Sequence, residues 1–356
     1  MDLGSFPTRY RGLQRVPAVL LLVCLAAAIL VAAWLAPSSP QPKIRASEAE
    51  QSDLQLYRDI IARVGDGEAY YPVAADELRK GGYPLKPFAT FRLPTLTLVY
   101  AHVPAIVMLI VQGLLALAVL LVWWRRLQPH LPLPMLGLAL VLLVGGTAAL
   151  VQPVTGLFHE SWTALLMALM VGVRRPGHAA AAIVAGGLAL TIRETALPMI
   201  LAMGGLATVE RRWRETIGWG ALVALFAAAL LLHAGMVAAV VRPDDPASPG
   251  WNALLGIRFA LNAFAMVSSA TVLPASLAAV VILLSLSGWG SVRTGWALRV
   301  SLLLIGYGTM LAVFARADTF YWALLVAPLS LVGLIFVPRA LAELVRAARG
   351  VRDEGA

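Results

Sequence analysis

The chain reads as a succession of apolar runs separated by short polar breaks. The runs fall near 16–36, 102–124, 132–151, 161–173, 178–192, 195–209, 217–241, 271–289, 296–315 and 320–337. A helix needs roughly 20 apolar residues to cross a bilayer. The pattern therefore predicts an all-α, polytopic membrane protein with about ten transmembrane helices. The runs 161–173, 178–192 and 195–209 are short for a span. Such helices belong in a thinned, partly water-filled region or between longer neighbours. The run 16–36 follows Arg9, Arg11 and Arg15 in the manner of a signal peptide. Signal cores are about 7–15 residues long, so this longer run reads as a retained first helix. No internal repeat is visible.

The alternation breaks once at length, in the polar, aromatic-rich stretch behind the first run. Leu54, Tyr57, Ile61 and Val64 recur at helical spacing. They predict an amphipathic helix over 53–64 lying on the membrane surface, with Ser52 as N-cap and Gly65 and Gly67 as stops. A second helix is expected over 70–80, ended by Gly81-Gly82.

Composition agrees with the pattern. Hydrophobic residues make up 60% of the chain and charged residues 13%, where soluble domains carry about 25% charged residues. The net charge of +9 does not indicate nucleic acid, because the basic residues come in small groups between apolar runs. Cys24, the one cysteine, lies inside an apolar run and has no partner for an internal disulfide.

Charge then sets orientation. One alternating set of run ends carries Arg9/Arg11/Arg15, Arg125/Arg126, Arg174/Arg175, Arg211/Arg212/Arg214, Arg293/Arg299 and Arg339/Arg346/Arg349/Arg352. Cytoplasmic loops are enriched in such residues, so both termini are expected in the cytoplasm. The expected organisation is a single integral membrane domain over 1–356, with a first periplasmic loop over 37–101 and a cytoplasmic tail over 338–356. Ala/Leu/Arg-rich usage points to a bacterial inner membrane.

The opposite ends hold the candidate chemistry. Asp53 is expected in the first turn of the loop helix, either complementing its dipole or acting as a base. Asp59 and Glu68 read mainly as solvated acids, and Asp76 and Glu77 with Arg79 and Lys80 as an exposed helical charge pattern. Tyr70, Tyr71 and Tyr83 suit either interfacial anchoring or stacking on a sugar. Arg92, where the loop re-enters the bilayer, suits a lipid headgroup or a substrate phosphate. His159 and Glu160 occupy a very short turn, and a carboxylate that near hydrocarbon is expensive unless paired or functional. Arg193 and Glu194 lie between two short runs, paired with each other or with Arg193 on a phosphate. Asp244 and Asp245 read as turn residues in a Pro-rich loop, and Arg258 belongs to a short interfacial or re-entrant segment. Arg316 and Asp318 form an ion pair or touch lipid phosphate. Carboxylates and arginines at one membrane face suit a reaction on a lipid-linked phosphate ester. No Gly-rich phosphate loop and no HExxH motif accompany them.

Four passages carry a family resemblance: DLQLYRDIIARVGDGEAYYPVAADELRKGGYPLKPF, FHESWTALLMAL, IRETALPMILAM and RADTFYWALLVAPLSLVGLIFVPRAL. With the run pattern, they make the chain resemble polytopic GT-C class glycosyltransferases, particularly the bacterial mannosyltransferase-like group that uses polyprenyl-phosphate sugars. The resemblance implies an asymmetric helix bundle with an amphipathic first periplasmic loop. It implies transfer of a sugar, with inversion in one displacement, from a polyprenyl-phosphate sugar donor to a lipid or glycan acceptor. Asp53 would be the general base, Glu160 with His159 would assist, and Arg193 and Arg316 would contact the lipid phosphate. Many members carry an acidic pair directly behind the first helix, whereas Asp53 stands alone and further on. The expected partners are the donor, the acceptor and membrane lipids, not nucleic acid. No cofactor is specified, and use of a divalent cation is left open. Two other functions fit the composition: a transporter or flippase of a lipid-linked sugar, and a non-catalytic membrane protein of envelope assembly.

Overall fold

A computed structural model describes residues 5–35 and 43–350; the side chains of residue 35 and residues 43–52 lie outside that description. The described residues are helical, with only isolated bridges and no strand. In chain order the α-helices are α1 (Arg15–Leu35), α2 (Lys43–Gly65), α3 (Tyr70–Lys80), α4 (Pro94–His102), α5 (Ala105–Leu127), α6 (Leu133–Thr147) and α7 (His159–Val173). They continue as α8 (Ala180–Ile192), α9 (Leu197–Val209), α10 (Trp213–Ala238), α11 (Gly256–Met266), α12 (Ala275–Ser291), α13 (Gly295–Val313) and α14 (Val337–Arg349). Two 3-10 stretches, Ala317–Leu329 and Val332–Phe336, precede α14.

Helices occupy every predicted apolar run, but fewer of them have the length of a span. Arg15–Trp34, Ala105–Leu127, Trp213–Ala238 and Gly295–Val313 are long and apolar enough to cross a membrane. Ala317–Leu329 with Val332–Arg349, bent by 41°, makes a fifth if the pair is one span. This is the helix inventory of a membrane-embedded protein with four or five candidate spans, in place of the ten expected. The difference lies in helices such as Leu133–Thr147, Ala180–Ile192 and Ala275–Ser291, which are apolar but short.

The chain divides into two compact units. Unit 1 comprises 1–41, 117–149 and 253–356, and unit 2 comprises 42–116 and 150–252. Helix α5 contributes residues to both, with the division after Ala116.

In unit 1, α1 packs on α12 and α14, and α11 packs on α12 and α13. The crossing of α12 with Val332–Phe336 is backbone on backbone: a Cβ at Gly288 would collide with the Gly333 carbonyl, and one at Gly333 with the Ser285 carbonyl. Glycine is needed there for lack of space. Trp123, Trp289, Trp296 and Phe336 meet edge-on or tilted beside this crossing, with Phe6 5.0 Å from Phe336. The segment before α1 is pinned to unit 1 through Arg293 N donating to Pro7 O (2.8 Å), Arg9 N donating to Ser291 O (2.7 Å) and the Thr8–Glu343 hydrogen bond.

Unit 2 carries the long polar stretch. Helix α2 begins at Lys43, so Asp53 lies inside it and not in its first turn, and Ser52 is not an N-cap. The buried face of α2 is Leu54, Tyr57, Ile60 and Val64, with Ile61 only partly covered. That face does not lie on a membrane surface. Ile60 and Val64 pack with Val73, Ala74 and Leu78 of α3, with Leu85 and Phe91, and with Val237 of α10. Leu54 and Tyr57 pack on Phe158. The chain after α3 is tied to the loop after α10. Leu85 N donates to Pro246 O (2.9 Å), Ser248 N to Lys86 O (2.7 Å), and Arg79 Nε to Asp245 Oδ1 (2.7 Å). Helices α7 and α8 pack along each other, and α8 and α9 pack on α10.

Candidate functional site

Among the described residues, a buried group of opposed charges next to unpartnered polar atoms lies in unit 2, where α7 begins and α8 ends. Phe158 is extended (φ −75°, ψ 125°), which starts α7 at His159 and puts Glu160 in its first turn. Arg193 is extended as well (φ −148°, ψ 118°), and it ends α8 before a 3-10 turn at Glu194–Ala196. A carboxylate at a helix N-terminus and a cation at a C-terminus are each favoured by the helix dipole. Packing of α7 along α8 brings them together: Arg193 Nε donates to Glu160 Oε1 at 2.8 Å, and Arg193 Nη1 lies 2.5 Å from Glu194 Oε1. Both Glu160 and Arg193 are buried.

Arg92 enters from the segment between Phe88–Thr90 and α4. Its Nη2 is 4.0 Å from Glu160 Oε1, and its Nε donates to Tyr57 Oη at 3.2 Å. Tyr70 fixes the backbone there by donating to Arg92 O at 2.7 Å. The Tyr57 ring stands 5.5 Å from the His159 ring. Beside Tyr70, Tyr71 Oη is 3.1 Å from His233 Nδ1 of α10, and Phe88 is 6.2 Å from the same imidazole.

Two features separate this group from a simple structural ion pair. Glu160 Oε2 and both ring nitrogens of His159 are buried without a hydrogen-bond partner, although leaving such a group unsatisfied costs about 1–3 kcal/mol. Two guanidinium groups also converge on one carboxylate oxygen while the other oxygen stays available. Burial works to raise the Glu160 carboxyl, but Arg193 and then Arg92 more than offset it, so the net direction is down and the group is ionised. Burial first, and then Arg92, push the His159 imidazole down to about 3, so it is neutral. The site therefore offers an ionised carboxylate oxygen, a neutral imidazole and two cations within one water-poor cluster.

The expected site residues divide as follows. Glu160, His159, Arg193, Glu194, Arg92 and Tyr70 come together, with Tyr71 beside them. Asp53 lies on α2 and accepts a hydrogen bond from Tyr83 Oη at 2.8 Å. Asp59 accepts from Gln55 Nε2 at 2.7 Å on the same helix. Arg258 is exposed on α11 of unit 1. Arg316 pairs with Asp318, Nη2 to Oδ2 at 2.9 Å, also in unit 1. Asp245 does more than turn the chain, since its two oxygens hold Arg79 and its Oδ2 accepts from Arg242 N at 2.7 Å. Among the described residues, no group of three His, Cys, Asp or Glu side chains is arranged to hold a metal ion.

His233 and Gln112 were not singled out in the sequence, and Tyr57 was read only as part of the apolar face of the loop helix. His233 and Gln112 did carry a signal, because each is a polar residue inside an apolar run of spanning length. Tyr57 had none, since it falls on the apolar period of α2.

No family model, no curated protein and no solved structure matches the chain.

Proposed function

We propose that the protein is a membrane glycosyltransferase that moves a sugar from a polyprenyl-phosphate donor to a lipid or glycan acceptor, with its chemistry at the Glu160–His159–Arg92–Arg193 cluster. The observation that carries this reading is the arrangement at Glu160: one carboxylate oxygen held by Arg193 with Arg92 close by, the other buried and unpartnered. A lipid-linked phosphate leaves with negative charge, and guanidinium groups suit that charge in geometry and sign. As Arg92 and Arg193 turn towards the phosphate they relax their hold on Glu160, and its basicity rises. Glu160 Oε2 then takes the proton from the attacking acceptor hydroxyl, the new glycosidic bond forms, and the donor's phosphate leaves with the electrons of the old bond. His159, neutral and against Tyr57, completes the wall of the site. Glu160 takes the role of base in preference to Asp53, whose carboxylate is engaged by Tyr83.

Orientation and compartment belong to the same proposal. The basic run ends face the cytoplasm of a bacterial inner membrane, both termini are cytoplasmic, and α2 and α3 lie in the first periplasmic segment.

The test is a donor panel. Inner membranes containing the protein are given labelled polyprenyl-phosphate sugars, and both label in product and label crossing the bilayer are measured. Transfer to product above membranes lacking the protein supports the proposal. Movement of donor across the bilayer without transfer supports a flippase, and neither activity with any donor and a full acceptor extract supports a structural role in envelope assembly.

A further inference from the structure

The segment before α1 gathers the basic residues of unit 1 at one end. Ser5 N donates to His130 O at 2.9 Å, just beyond the end of α5, and Arg9 Nε donates to Gly290 O at 3.0 Å, near the end of α12. Arg339 of α14 stands over the Phe6 ring, 5.0 Å from its centroid. Around this segment Arg11, Arg15, Arg125 and Arg293 are exposed, with exposed Arg346 one turn beyond Glu343 on α14. Within 5–15, 120–135, 290–300 and 337–350 the one acidic residue is Glu343. It is buried and already engaged, accepting from Thr8 and from Arg339 Nε at 3.0 Å. Unit 2 treats its basic group differently: Arg174 donates to both Glu210 and Glu215, and Arg212 donates to Glu210. The basic end of unit 1 also borders exposed apolar surface. Arg15 and Arg125 sit at the ends of two helices long and apolar enough to span, beside exposed Val16 and Trp124.

We infer that this basic end of unit 1 is a binding surface for the headgroups of anionic phospholipids. It requires only that the protein is membrane-embedded, and it stands or falls apart from the sugar-transfer reading. Guanidinium groups pair with phosphate in geometry and sign. An anionic bilayer presents phosphates at the depth where spanning helices leave the hydrocarbon, and each arginine near that surface adds to the attraction. Val16 and Trp124 favour lipid over nucleic acid, because apolar and indole side chains beside the charges suit acyl chains and the membrane interface. With Glu343 already spent inside the fold, the surface arginines draw their counterions from the membrane.

The experiment equilibrates the purified full chain with mixed detergent micelles carrying equal amounts of labelled phosphatidylglycerol and phosphatidylcholine, and measures the ratio retained. Wild type is compared with the triple variant Arg11→Gln, Arg125→Gln, Arg293→Gln. A control, Arg175→Gln with Arg211→Gln and Arg214→Gln, removes the same charge from unit 2, and thermal unfolding confirms that each is folded. Wild type is expected to retain phosphatidylglycerol over phosphatidylcholine by roughly tenfold or more at low salt. The preference should shrink towards unity at about 1 M salt, where charges are screened within a few ångströms. The unit 1 variant should lose most of it and the control should keep it. No preference in wild type, a preference indifferent to salt, or an equal loss in both variants overturns the inference. Displacement of the lipid by millimolar glycerol phosphate would make this a site for a free phosphate ester, and tighter binding of an RNA oligonucleotide than of phosphatidylglycerol would make it a nucleic-acid surface; either overturns it as well.

Discussion

Arg193 Nε lies 2.8 Å from Glu160 Oε1, with both residues buried, while Glu160 Oε2 meets no protein donor. Breaking a buried pair from one side leaves an uncompensated charge, which costs about 3–5 kcal/mol. Arg193→Met should therefore lower stability by roughly that amount, while Arg193→Met with Glu160→Gln should recover a large part. Thermal unfolding of the purified single and double variants gives the coupling, and strict additivity would contradict it.

The tie between α3 and the loop after α10 should be acid-sensitive. Arg79, by hydrogen bond first, holds the Asp245 carboxyl well below the usual carboxylate range. At the neighbouring α2–α3 contact, Lys80 and then Arg63 lower Glu77 against the effect of its burial. Both carboxyls are depressed on folding, so their contribution is complete above the unfolded value of about 3.9–4.3. It is lost as pH falls through the folded values. Hydrogen-exchange protection in 79–86 and 242–248, with the intrinsic pH dependence divided out, should be flat from pH 5 to 8 and fall below about pH 4. Asp245→Asn should show the faster exchange already at neutral pH.

The backbone crossing in unit 1 should tolerate no added methyl. Gly333→Ala meets the Ser285 carbonyl and the Trp289 ring. It should destabilise by about 3 kcal/mol or more, at the upper end of overpacking. Gly290→Ala, with open space at its Cβ, should be neutral or stabilising by about 0.5–1 kcal/mol. Melting temperatures of the two variants settle this, and equal effects would mean the helices do not cross there.

Orientation can be read by cysteine labelling. Cys24 is exposed on α1 and is first replaced by Ala. Asp66→Cys and Arg175→Cys, both at exposed positions, then report on opposite ends. A membrane-impermeant maleimide added from the periplasmic side should label the cysteine at 66 at once, and the one at 175 only after permeabilisation. The reverse order would invert the topology.

Much of this architecture was legible because apolar runs and helical spacing report helices directly. Run length overstated the spans, because an apolar run does not say where its helix stops: 132–151 holds only Leu133–Thr147. The start of α2 was missed for the opposite reason. Lys43 to Ser52 is polar and rich in helix formers, with no apolar period to reveal a helix, so Ser52 looked like a cap. Glu160 and Arg193 stood out because charges beside apolar runs are costly. Their partnership could not be read, since contact across 33 residues depends on how α7 packs on α8. The same holds for Arg79 with Asp245, 166 residues apart.

Glu160, not Asp53, is proposed to remove the acceptor's proton. The direct measurement is single-turnover sugar transfer from a labelled polyprenyl-phosphate donor by wild type, Glu160→Gln and Asp53→Asn at equal folded protein. Loss of a general base costs about 10²–10⁴-fold. That loss is expected for Glu160→Gln, and a change of only a few-fold for Asp53→Asn. Full transfer by Glu160→Gln, or the large loss in Asp53→Asn instead, would contradict it.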